Sequence, residues 1–138
     1  MPSHLDYTPD SSMVFISLQG SNRMAAIDLG TMTVKWDKPC GPAPAGVLYH
    51  DGRVLVADMG ADYIAVMDPA DGREIRRIPT GRGAHQLFLS PDKKLIYVNN
   101  RVAGTIVALD AKSLAEVRSY KMPGGPDDIQ FAPDGKIW

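Results

Sequence analysis

Residues 85–110 decide the fold and read His-Gln-Leu-Phe-Leu-Ser-Pro-Asp-Lys-Lys-Leu-Ile-Tyr-Val-Asn-Asn-Arg-Val-Ala-Gly-Thr-Ile-Val-Ala-Leu-Asp. Three short apolar runs lie in this segment, separated by residues that are typical of turns. The runs have the length of β-strands and are rich in β-branched and aromatic residues. Because no stretch of ten or more residues shows the 3.6-residue period of a helix, the sequence predicts an all-β protein.

The segment is one copy of a repeat. Four aspartates in predicted tight turns are spaced by 41, 41 and 42 residues: Asp10, Asp51, Asp92 and Asp134. Three further aspartates end apolar runs and are spaced by 40 and 42 residues: Asp28, Asp68 and Asp110. Both sets recur at the same repeat position, so we interpret them as turn-capping residues rather than as catalytic carboxylates. A period of about 40 residues with four strands is typical of a β-propeller blade.

The blades are predicted at about residues 3–43, 44–83 and 84–126, with a partial fourth at about 127–138. The strands of a blade are called A to D, from the central channel outward. In the third blade they are predicted at residues 85–89, 95–99, 104–109 and 116–121. Since a propeller ring needs about four to eight blades, we expect a segment of a longer ring of six to eight blades. The alternative is self-association of copies to complete the ring.

Charge and composition exclude some classes of protein. The formal net charge is −1 and no long basic run occurs, so we expect no nucleic-acid partner. The apolar runs are much too short for a membrane span, and the first residues lack the features of a signal peptide. Cys40 is the single cysteine, which rules out an internal disulfide.

The third blade resembles the YVTN-type β-propeller repeat. The resemblance rests on the turn Leu89-Ser90-Pro91-Asp92, the strand Ile96-Tyr97-Val98-Asn99-Asn100 and the strand Thr105-Ile106-Val107-Ala108-Leu109-Asp110. It extends over essentially the whole chain and is weaker in the first two blades. It implies a closed ring of about seven blades in a bacterial or archaeal protein, often a binding scaffold exported to the periplasm or cell surface. Similar propellers carry haem d1 in cytochrome cd1-type enzymes, form the heavy subunit of methylamine dehydrogenase, or hydrolyse sugar lactones.

A binding site is expected on one face of the ring. The A-to-B and C-to-D turns are stereotyped, whereas the D-to-A and B-to-C loops differ between blades and surround the mouth of the channel. Aligned on the turn aspartates, four residues are expected to begin the innermost strands and line the channel: Ser3, Pro44, His85 and Asp127. The richest polar cluster is predicted from seven residues: Arg82, His85, Asn99, Asn100, Arg101, Asp127 and Asp128.

The chemistry of this cluster leaves alternatives open. His85 suits a general base or an axial metal ligand, but no second His or Cys stands at ligand spacing, so a simple hydrogen bond is the favoured role. Arg82 and Arg101 suit a carboxylate or phosphate. The favoured alternative is that each is a solvated loop charge or pairs with Asp127. His4 lies one register away from the channel-lining position and is expected to point elsewhere.

The leading hypothesis is a non-catalytic scaffold that binds a small ligand or a protein partner through the D-to-A and B-to-C loops. No catalytic or metal-binding residue is assigned, and no cofactor is evident from the residues. Haem d1 or a divalent metal is implied only by the resemblance. The alternative is an enzyme or redox protein of the haem d1-binding or lactone-hydrolase kind. Localisation in the periplasm or outside the cell is likewise expected only from the resemblance.

Overall fold

Twelve strands form three four-stranded antiparallel sheets in the computed structural model, which describes all residues 1–138. The first sheet contains β1 (Pro2–Tyr7), β2 (Met13–Leu18), β3 (Arg23–Asp28) and β4 (Thr33–Pro39). The second contains β5 (Pro44–His50), β6 (Arg53–Asp58), β7 (Tyr63–Met67) and β8 (Glu74–Pro79). The third contains β9 (Ala84–Leu89), β10 (Leu95–Asn100), β11 (Thr105–Asp110) and β12 (Glu116–Lys121). Strands adjacent in the sequence are neighbours in every sheet.

These sheets are the blades of a β-propeller, and the predicted fold class is confirmed. After β12, an antiparallel bridge joins Phe131 to Ile137, and the amide of Trp138 donates to the carbonyl of Gln130 at 2.9 Å. This hairpin corresponds to the predicted partial blade. The one helical element is a 3-10 turn at Gln19–Ser21, so no helix has the length and apolarity to cross a bilayer.

The hydrophobic core lies between the sheets rather than within any one of them. Successive side chains of a strand point to opposite faces, and β6 uses both. Val54 and Val56 belong to the apolar cluster shared with the first sheet, which contains Phe15. Leu55 and Ala57 belong to the cluster shared with the third sheet. Each blade is therefore stabilised by its neighbours.

Six of the seven repeated aspartates have the capping role that their spacing predicts, whereas Asp51 contacts only the Arg53 guanidinium, at 3.3 Å. Asp110 Oδ1 accepts hydrogen bonds from the amides of Ser113 at 2.7 Å and Lys112 at 3.1 Å. Asp92 Oδ1 accepts from Ser90 Oγ at 2.6 Å and from the amide of Lys94 at 3.1 Å. The hydrogen bonds from Ser113 lower the pKa of Asp110, because they favour the ionised carboxylate. These side chains are used for blade construction.

The opposite face, which we call the loop face, contains the D-to-A and B-to-C loops. Asn100, at the end of β10, fastens one of these loops. Its amide nitrogen donates to the carbonyl of Thr80 at 3.1 Å and to Thr105 Oγ1 at 3.2 Å, and its amide oxygen accepts from Thr80 Oγ1 at 3.1 Å. The Asn100 side chain is fully buried. Its role is thus to hold the D-to-A loop of the second blade.

Asp58 occupies the equivalent end of β6 but is poorly satisfied. It is fully buried, Cys40 Sγ lies 3.7 Å from its Oδ1, and its Oδ2 has no hydrogen-bond partner. Burial, the largest effect, raises the pKa of Asp58 to about 7. Burial also raises the pKa of the Cys40 thiol to about 12, and the neighbouring Asp58 adds to that shift. The loop at Cys40 and Gly41 therefore covers a carboxyl group that burial holds partly protonated near neutral pH.

We predict that Asp110→Asn weakens the turn after β11. The depressed pKa of Asp110 means that its contribution to stability is present above the unfolded value near 3.8 and is lost as pH falls through the lower folded value. Urea unfolding at several pH values should show wild type more stable than Asp110→Asn at pH 7, with the difference shrinking below pH 4. A difference that does not depend on pH would contradict this account.

We predict the opposite pH dependence for Asp58. Its folded pKa of about 7 exceeds the ordinary 3.8, so its contribution is greatest at low pH and declines as pH rises from about 4 to 7. The decline in the free energy of unfolding is at most about 4 kcal/mol. Asp58→Asn gives the second blade the same residue type as Asn100 in the third blade. In urea titrations this variant should not show the decline. The exposed Asp62→Asn is the matched control and should retain it.

Candidate functional site

The loop face is held rigid by main-chain hydrogen bonds between neighbouring loops. The amide of Arg101 donates to the carbonyl of Gly83 at 2.9 Å, which ties a B-to-C loop of the third blade to the preceding D-to-A loop. The amide of Met59 donates to the carbonyl of Ala43 at 3.1 Å, which ties the B-to-C loop of the second blade to the D-to-A loop of the first. Side chains on these loops are thus displayed from a fixed framework.

Three of the predicted site residues meet at one carboxylate oxygen. Asp127 Oδ1 lies 3.1 Å from His85 Nδ1 and 3.2 Å from Arg101 Nη1. His85 is on β9, Arg101 directly follows β10, and Asp127 lies in the segment after β12. Asp127 Oδ1 and His85 Nδ1 are close enough for an ion pair, but their alignment does not make a hydrogen bond. His85 has a side-chain exposure of 16%, whereas Arg101 and Asp127 are exposed to 45% and 62%.

His4 joins this group, contrary to the sequence expectation that it points elsewhere. The rings of His4 and His85 are perpendicular, with centroids 5.6 Å apart. His4 Nδ1 lies 3.0 Å from Ser3 Oγ. Burial lowers the pKa of His4, and the neighbouring His85 lowers it further, whereas Asp127 and the Ala45 carbonyl act in the opposite direction. We call His4, His85, Arg101 and Asp127 the channel cluster.

The alignment on turn aspartates misplaces one channel-lining residue, in the second blade. It treats every A-to-B turn as equal in length, but the turn of the second blade is one residue shorter. Strand pairing of Val47 with Val56 and of Leu87 with Val98 makes Ala45, not Pro44, the equivalent of His85. In the first blade the pairing of Leu5 with Ile16 keeps Ser3 at the position of His85 and His4 one residue further on. The approach of His4 to His85 depends instead on the distance between β1 and β9, which no local sequence pattern reports.

Buried polar atoms without partners lie on the β9–β10 strand pair that also carries His85. Asn99 is fully buried, and neither its amide oxygen nor its amide nitrogen has a hydrogen-bond partner. Across the β9–β10 pair it faces Gln86, whose Oε1 is also unpaired. In the first blade the equivalent Ser17 donates instead to the carbonyl of Ala45 at 2.6 Å. Unpaired buried amides are costly, so a hydrogen-bonding group from a ligand or an adjoining chain segment would be favourable here.

The remaining predicted site residues lie elsewhere. Arg82 is exposed and lines a separate shallow depression with Gly60, Asp62 and Val102. Asp128 Oδ1 accepts from the amide of Ile129, and its side chain borders an apolar groove rather than the channel cluster. Asn100 is occupied with fastening Thr80. The predicted seven-residue cluster therefore reduces to His85, Arg101 and Asp127, while Asn99 is buried on β10 opposite Gln86.

The groove beside Asp128 is the most apolar concavity of the chain. It has a volume of about 630 Å³ and lies on the side of the third blade that faces away from the second. Its apolar lining consists of Tyr97, Ile106, Tyr120, Met122, Pro126, Ile137 and Trp138. Tyr97 and Ile106 belong to the apolar cluster that includes Ile129 of the partial blade, so this groove continues the pattern of cores between blades.

Known proteins share this architecture. The subunit of Kuenenia stuttgartiensis hydrazine synthase superposes with a TM-score of 0.84 at 26% identity, over 99% of this chain and 40% of that one. Dihydro-heme d1 dehydrogenase NirN, solved in complex with DHE, superposes with a TM-score of 0.77 at 16% identity, over 97% of this chain and 31% of that one. At such low identity the likeness to NirN concerns the fold alone.

Sequence relatives come from bacteria. The YncE protein of Salmonella typhimurium is 29% identical over 84 residues, and that of Salmonella typhi is 27% identical over the same length. The alignment covers 61% of this chain and 24% of each relative, so the matched part spans about a quarter of their length. The family model described as YNCE-like beta-propeller matches residues 1–138. The chain therefore belongs to the YNCE-like β-propeller family.

Proposed function

We propose that this propeller segment serves as a non-catalytic binding scaffold whose loop face takes a small ligand bearing a carboxylate. The observation that carries the proposal is the convergence of His85 and Arg101 on one oxygen of Asp127. Asp127 occupies the position between a cation and an imidazole that a ligand carboxylate would take. A planar guanidinium is the side chain best suited to a carboxylate.

The ion pair between Arg101 and Asp127 is exposed to water, so a ligand can replace Asp127 at little cost. The pair of Arg101 and Asp127 is about half exposed, and an ion pair in water contributes only about 0–1 kcal/mol to stability. Displacement of Asp127 thus costs little. A ligand that also reaches the unpaired amide of Asn99 gains hydrogen bonds that the protein alone does not make.

Binding is favoured over catalysis by where the reactive groups lie. The one thiol, Cys40, is away from the channel cluster beside Asp58, and its raised pKa opposes the nucleophilic thiolate. The channel cluster offers charge and hydrogen-bonding groups at fixed positions, which is what recognition of a small polar ligand requires.

We also propose that the protein acts in the periplasm of a bacterium. The resemblance to exported YVTN-type repeats and the Salmonella relatives support this proposal. Fractionation of cells of the native host, followed by detection with an antibody, should place the intact protein with periplasmic markers. Recovery with cytoplasmic markers would contradict the proposal.

We predict that Arg101→Ala weakens carboxylate binding by about tenfold or more, since a hydrogen bond to a charged group contributes about 1.5–3 kcal/mol. The probes are succinate, citrate, glutamate and a dipeptide, tested with the intact protein by calorimetry and thermal shift. Arg118→Ala, on the exposed outer strand β12, is the matched control and should bind as wild type does. If no probe binds, or if both variants bind equally well, the proposal is wrong.

A further inference from the structure

Two of the three histidines in the chain lie side by side in the channel cluster. His4 is on the innermost strand of the first blade and His85 on that of the third, so only the assembled fold brings them together. The third histidine, His50, ends β5 at an A-to-B turn on the opposite face. The channel wall thus has two imidazoles, whereas the face with the A-to-B turns has one.

The separation of the two rings suits a shared metal ion. In a tetrahedral site with metal–nitrogen distances of about 2.0–2.1 Å, two imidazole centroids lie roughly 5.2 Å apart. The centroids of His4 and His85 are 5.6 Å apart, and their planes are perpendicular. Small rotations of partly exposed side chains would bring the two rings to one ion.

The second nitrogens of both rings already have polar neighbours. Metal-binding histidines commonly have the other ring nitrogen held by a carboxylate or another polar group, which orients the ring and strengthens it as a ligand. Asp127 Oδ1 lies 3.1 Å from His85 Nδ1, and Ser3 Oγ lies 3.0 Å from His4 Nδ1. In both residues the Nε2 atom is therefore the one suited to a metal.

We propose that His4 and His85 bind a divalent late transition metal, such as Zn²⁺ or Cu²⁺, through their Nε2 atoms, with Asp127 and Ser3 orienting the two rings. Imidazole nitrogen is a preferred ligand for both ions. The charges of Arg101 and Asp127 cancel next to the pair, so the cation enters a site of no net charge. The Ala45 carbonyl borders the His4 ring.

The site is open rather than structural. No group of three His, Cys, Asp or Glu side chains surrounds a common metal position, so the protein supplies two ligands and water or a bound ligand completes the coordination. A bound ion would present a Lewis-acidic centre at the loop face. This inference goes beyond the proposed carboxylate binding and stands or fails separately from it.

The test uses the intact protein without an affinity tag, stripped of metal with EDTA, and calorimetric titration with Zn²⁺. We expect one saturable equivalent per chain. Because each change breaks the chelate, His4→Gln and His85→Gln should each weaken binding by about tenfold or more. His50→Gln is the matched control and should bind as wild type does. Electron paramagnetic resonance of the Cu²⁺ form should show two nitrogen ligands in wild type and one in each single variant.

Asp127→Asn tests the orienting contact separately. It should lower affinity by about tenfold, a typical effect of losing such a partner, while the two-nitrogen Cu²⁺ spectrum remains. Absence of a saturable equivalent, or equal losses in His50→Gln and His85→Gln, would overturn the proposal. The two proposals share His85, so they are distinguished by Arg101→Ala, which should still bind the metal, and by the EDTA-stripped protein, which should still bind a carboxylate.

Discussion

The burial of both faces of each sheet between neighbouring sheets is the constraint on which the structure depends. A single four-stranded blade has no core of its own, because its side chains alternate between two faces and both are apolar. In β6, Val54 and Val56 pack toward Phe15 of the first blade, and Leu55 and Ala57 pack toward the third. The fold is thus a series of shared cores, in which the loss of one blade exposes the next.

This arrangement separates construction from recognition. On one face the repeated aspartates other than Asp51 accept hydrogen bonds from turn amides, as Asp110 does from Lys112 and Ser113. On the other face the residues at the ends of the second strands differ between blades. Asn100 makes three hydrogen bonds to Thr80 and Thr105, whereas one oxygen of Asp58 contacts the Cys40 thiol and the other is unpaired. The residue at this position therefore fixes the adjoining loop by hydrogen bonds in the third blade. In the second blade it is a buried carboxyl group that titrates.

The strands and turns were predictable from the sequence because their causes are local. Alternation of apolar residues and the repeated turn aspartates need only a few neighbouring positions to be recognised. The site was predictable in part, since His85, Arg101 and Asp127 were named and do meet. Arg82 and Asp128 carry the same kinds of charge but face other regions. His4 could not be found, because its position depends on the distance between innermost strands.

The size of the residues along a blade has a consequence for the ring as a whole. On the inner side, Gly46 lies so close to the main chain of His85 and Gln86 that a Cβ atom would come within 2.7 Å of it. Toward the outside, the space between the first two blades is occupied by the bulky Trp36, whose indole nitrogen donates to the carbonyl of Pro69 at 2.9 Å. A small residue on the inner side of one gap and a large residue on the outer side of the neighbouring gap indicate gaps that narrow toward the channel, like a wedge. The taper of that wedge sets the angle between successive blades, and the angle sets how many of them complete a circle.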